Sequence, residues 1–147
     1  MARLCCRILS CVLLSMMCLA GCSWKEAPVQ EGMHIEVNFS DVHRCSRISP
    51  EILVYNPPRG TVYYDVRVSV VGTSPERYLG GGRWGYGGLN SDGADVIPEG
   101  GLLNTYRAPC VSGGMSSDRT FRFTVYAMSR ESTTPLAISD YTLTLDE

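Results

Sequence analysis

The ten residues "LGGGRWGYGG" (79–88) hold Gly80, Gly82 and Gly85 at G-x-G-x-x-G spacing. In nucleotide-binding proteins that spacing lets backbone N–H groups close around a dinucleotide's phosphates. The chemistry requires the glycines to leave a strand and open a helix, so that the helix dipole meets the pyrophosphate. Here "TSPERY" separates them from the apolar "VVG", and "YGGLNSDG" contains no helix start. No nucleotide is expected, and the glycines read as a flexible loop.

The other residues capable of chemistry are few. A metal site needs converging His, Cys or carboxylates, and the only histidines, His34 and His43, have no partner at recognised ligand spacing. His43 beside Cys45 in "HRCS" is a soft-metal candidate only if Cys45 is not used elsewhere. No G-x-S-x-G nucleophile elbow occurs, and "VSGGMSS" (111–117) reads as a mobile loop. With no acid–base pair to name, neither an enzyme nor a cofactor nor a metal is expected.

The N-terminus points elsewhere. Arg3 and Arg7 precede the apolar run "ILSCVLLSMMCLA", no acidic residue occurs before Glu26, and the run is too short to span a bilayer. It reads as a signal peptide. "LAGC" (19–22) resembles a bacterial lipobox, which implies cleavage between Gly21 and Cys22 and a diacylglyceryl thioether with further acylation on Cys22. Two or three acyl chains, at about 0.8 kcal/mol per buried methylene, hold a protein on a membrane essentially permanently. Ser23 stands where an aspartate would favour inner-membrane retention, so the expected location is the periplasm-facing outer membrane.

Cleavage removes Cys5, Cys6, Cys11 and Cys18, lipid occupies Cys22, and Cys45 and Cys110 remain. In an oxidising periplasm a disulfide is the expectation, with two buried free thiols the other reading. The mature 126 residues carry eleven basic and fifteen acidic side chains, a net charge of −4. Nothing there grips nucleic acid.

These residues must be positioned by strands. Residues 1–21 are the signal, 22–32 a polar tether, and 33–147 one domain whose hydrophobic period is two. Ile35, Val37 and Phe39 alternate with polar neighbours, as do Val62, Tyr64, Val66, Val68 and Val70. So do Phe121, Phe123, Val125 and Ala127, then Tyr141, Leu143 and Leu145, while "EILVY" (51–55) is a shorter apolar run closed by the turn "NPPRG". The mature chain shows no sustained helical period. An all-β sandwich of antiparallel strands with long loops follows.

The order of motifs then resembles the phosphatidylethanolamine-binding protein family, in its bacterial branch related to Raf kinase inhibitor proteins. The matching stretches are "CSRISPEILVYNPPRGTVYYDVRV" (45–68), "IPEGGL" (97–102), and "YRAPCVSGG" followed by "FRFTVYAM" (106–128). The resemblance implies a β-sandwich with a small anion-accepting pocket at one end. It places Arg83 and Trp84 at the family's His-Trp pair and Arg119, Thr120 and Phe121 at its His-Arg-Tyr segment, while "GTSP" keeps Pro75 without the family's aspartates. Arginine offers a permanently charged planar fork where the family has histidine. Two outcomes follow: Arg83, Trp84, Tyr106 and Arg119 line an anion site, or the pocket is eroded and the arginines lie on a solvated rim.

The function expected is a non-enzymatic envelope lipoprotein, attached to the membrane through its lipid. On one reading it binds a small anion, a headgroup or a peptide terminus. On the other it presents its sandwich to an envelope protein.

Overall fold

The computed structural model describes residues 32–102, 105–111 and 120–145. The expected signal, Cys22 as the expected lipidation site, all but the last residue of the expected tether, Arg119 and residues 112–117 of the expected mobile loop lie outside the described residues. Among those described, no helix is long and apolar enough to cross a membrane.

Among the described residues seven strands form two antiparallel sheets, as the period of two predicts. β1 (His34–Asn38), β2 (Glu51–Tyr55) and β5 (Ala94–Ile97) make one, in the order β1-β2-β5. β3 (Tyr63–Val70), β4 (Arg77–Gly85), β6 (Thr120–Met128) and β7 (Ala137–Thr144) make the other, in the order β4-β3-β6-β7. Alternate residues from each sheet meet in the middle. Ile35, Val37, Ile52, Val54 and Ile97 pack in one core cluster with Tyr64, Val66, Val68, Phe123, Val125 and Ala127. Each valine, isoleucine or phenylalanine among them contributes roughly 1.5–3 kcal/mol on leaving water, which makes this interface the main source of stability.

The glycine stretch is a correction. Residues 79–85 are not a flexible loop but most of β4, paired with β3 from Tyr63↔Gly85 to Val70↔Arg77. Glycine has no side chain to show the period, which is why the strand escaped the pattern. Its bareness is used: a Cβ at Gly80 would collide with the Thr105 carbonyl, and Arg107 N would lie 2.9 Å from it. Thr105 accepts the Gly81 N–H at 3.2 Å through its carbonyl and donates its hydroxyl to the Gly81 oxygen at 2.7 Å. The strand edge is thereby covered at its centre.

β5 was also unforeseen, because its inward residues include a charge. Asp95 is 2 % exposed and sits opposite Val54. It accepts the Gly87 N–H at 3.1 Å and the Val96 N–H at 3.0 Å, which offsets the cost of burying a carboxylate. Val62, grouped by the pattern with the inward set, lies just before β3 and is 39 % exposed.

Candidate binding surface

Cys45 and Cys110 are joined in a disulfide, with their Cα atoms 4.6 Å apart. The bridge ties the segment after a 3-10 turn (Asp41–His43) to the segment that follows Tyr106, and the Cys45 N–H donates to the Pro109 carbonyl at 3.1 Å. Cys45 is thus unavailable to a metal. Among the described residues no three of His, Cys, Asp and Glu gather where a metal ion could sit.

The residues expected to line one pocket are separated. Arg83 and Trp84 are consecutive on β4, so they point to opposite faces of the sheet. Trp84 faces inward, across from the wholly buried Tyr64, and packs on the core together with Gly101. Tyr106 is also in the core, 5 % exposed, with its hydroxyl lacking a hydrogen-bond partner among the described residues. Burial pushes its phenol above the ordinary tyrosine range. Arg83 lies on the outer face, its guanidinium 5.3 Å from the centre of the Tyr63 ring. The expected pocket is therefore not assembled by these three, for the parity of a strand forbids neighbours from lining one cavity. Arg119 lies outside the described residues.

What the outer face assembles instead is a row across all four strands. Arg83 sits opposite Asp65, Asp65 opposite Tyr126, and Tyr126 opposite Ile138. The next row runs Gly81, Arg67, Thr124 and Asp140. Arg67 crosses between the rows, with its guanidinium 4.7 Å from the Tyr126 ring and 3.5 Å from an Asp65 oxygen. Two arginine–tyrosine contacts, each worth about 0.5–1 kcal/mol when exposed, thus place guanidinium groups over aromatic rings on the sheet. Ile138 is 56 % exposed beside them. In the sequence Tyr63, Asp65, Arg67 and Tyr126 are only the polar neighbours of inward residues; the row depends on the register of strands far apart in the chain.

A second feature lies where β1 and β7 end. A groove of about 360 Å³ is bounded by Phe39, Ser40, Asp41 and Arg44 on one side and by Leu143, Thr144 and Leu145 on the other. Behind its polar wall His43 is 4 % exposed, with Nε2 2.8 Å from Glu99 Oε1.

Compared with known proteins, the chain matches no family model, no curated protein and no solved structure.

Proposed function

We propose that this chain is a lipid-anchored protein of the bacterial envelope whose β-sandwich is a non-enzymatic binding module, presented to a protein partner through the outer face of the four-stranded sheet. One observation carries the reading: Arg83 and Arg67 lie against Tyr63 and Tyr126 on an exposed face, beside exposed Ile138. Arginine and tyrosine are the residue types that concentrate binding energy at protein interfaces, and side chains already packed on a neighbouring ring lose less entropy on docking. The lipobox-like "LAGC" supports the anchor, with Cys22 as the lipidated residue, cut after Gly21. Ser23 supports the outer membrane as its place.

A second reading keeps a small anion as ligand. Its support is Arg83 itself, a permanent cation on the exposed face. In that case Trp84 and Tyr106 shape the strand beneath the ligand and do not touch it. The resemblance to the phosphatidylethanolamine-binding family stands behind this reading.

Titration with inorganic phosphate and with phosphoserine separates the two. A saturable rise in melting temperature that disappears in Arg83→Ala supports the anion, and no response in either variant supports the protein-facing surface. Fractionation of Cys22→Ala tests the anchor: release from the membrane fraction supports it, and unchanged membrane association contradicts it.

A further inference from the structure

The 3-10 turn beside the groove has an unusual cap. Ser40 is the N-cap, and the N3 position, ordinarily Glu or Gln in a capping box, is His43. The Ser40 backbone N–H donates to His43 Nδ1 at 2.9 Å, and the Ser40 hydroxyl lies 3.2 Å from the same nitrogen. Because Nδ1 accepts, the neutral ring carries its proton on Nε2, which donates to Glu99 at 2.8 Å. The Phe39 ring closes one side of the imidazole at 5.5 Å.

We infer that His43 is a proton-operated latch on the Ser40–Arg44 turn. A protonated imidazole carries hydrogen on both nitrogens and accepts at neither. Protonation at Nδ1 would set that N–H against the Ser40 amide N–H, and the amide would lose its acceptor on the ring. The Ser40 hydroxyl is placed to accept from Nδ1–H once the amide turns away, and the Nε2–H contact to Glu99 becomes an ion pair. One proton thus exchanges one arrangement of the turn for another while the tie to Glu99 persists.

The charged groups around the ring fit this exchange. Glu99 meets it from the Pro98–Gly100 turn, which is itself held by the Gly100 N–H donating to the Ser49 carbonyl at 2.8 Å. On the ring's own turn Asp41 and Arg44 lie 3.8 Å apart and face the groove. The moving turn therefore supplies Ser40, Asp41 and Arg44 to the groove's polar wall, and the proton state of His43 sets the shape of that wall.

The test is a pH titration by NMR of the full chain in detergent micelles, between about pH 8 and pH 5. The expected result is that the Ser40 amide resonance shifts with the same midpoint as the His43 ring, and that this shift disappears in His43→Gln, whose amide accepts and donates without titrating. A His43 ring that titrates while the Ser40 amide stays still overturns the latch, as does a ring that stays neutral throughout. A Ser40 shift that survives in His43→Gln also overturns it. If His43→Gln fails to fold, coincidence of the two wild-type midpoints decides alone.

Discussion

Arg83 and Trp84 are adjacent on β4 yet serve opposite sides of the sheet: the guanidinium of Arg83 lies 5.3 Å from the Tyr63 ring on the outer face, and Trp84 packs inward on the core. The consequence is a division of labour that denaturation can read. Arg83→Ala is expected to change stability by no more than about 1 kcal/mol, since it removes one exposed cation–aromatic contact. Trp84→Ala is expected to cost about 2 kcal/mol, a partly buried aromatic leaving a void against the core. Urea titration of both variants checks the contrast, and a larger loss in Arg83→Ala reverses the assignment of faces.

The glycines of β4 are not equivalent. A Cβ at Gly80 would strike the Thr105 carbonyl and crowd Arg107, whereas nothing lies within 4 Å of one at Gly85, where the backbone is not in the left-handed region. Gly80→Ala should therefore destabilise by about 2 kcal/mol or more through backbone displacement. Gly85→Ala should be neutral or stabilise by up to about 1 kcal/mol by narrowing the unfolded ensemble. Thermal unfolding of the pair measures both signs.

The Cys45–Cys110 bridge spans 65 residues of sequence. Constraint of the unfolded chain over a loop of that length amounts to about 4 kcal/mol. The Cys45→Ala, Cys110→Ala double variant should lose about that much in denaturant titration. Mass measurement of the non-reduced protein should give a value two hydrogens below that of the fully reduced chain.

Two tyrosines should govern the alkaline limit. Burial, with the Asp95 carboxylate adding to it at Tyr64, holds the Tyr64 and Tyr106 phenols above their ordinary range. The unfolded chain releases these protons from about pH 10 upward while the folded one retains them. Their contribution is complete below about pH 10 and is lost as the pH rises past it. Phenolate absorbance should show both residues ionising only on unfolding. Tyr106→Phe, which removes a hydroxyl with no hydrogen-bond partner among the described residues, should be neutral or gain up to about 1 kcal/mol and should weaken the alkaline loss.

The strands with a bulky residue at every second position were legible before any coordinates. Ile35 and Val37, the valines of β3 and the phenylalanines of β6 all face the core as their spacing requires. β4 was not legible because Gly80, Gly81 and Gly82 show no period, and β5 was not because inward Asp95 breaks its period. That gap had a direct effect on the site. Read as a loop, Arg83 and Trp84 share a rim; read as a strand, they cannot. The row Arg83–Asp65–Tyr126–Ile138 joins residues up to 73 positions apart in a strand order of β4-β3-β6-β7, and no local pattern encodes that order. His43 with Glu99 was hidden for the same reason, being 56 residues apart.

On the proposed function, the outer face of the four-stranded sheet is the surface that meets a partner. The direct measurement is a face scan by site-specific photocrosslinking in intact cells. A photoreactive residue is placed in turn at Arg83 and Ile138 on that face, and at Glu36 and Leu53, which oppose each other on the other sheet's outer face. Positions 83 and 138 are expected to crosslink to the same envelope protein, and positions 36 and 53 are not. Absence of any adduct from 83 and 138, or equal adducts from both faces, would contradict it.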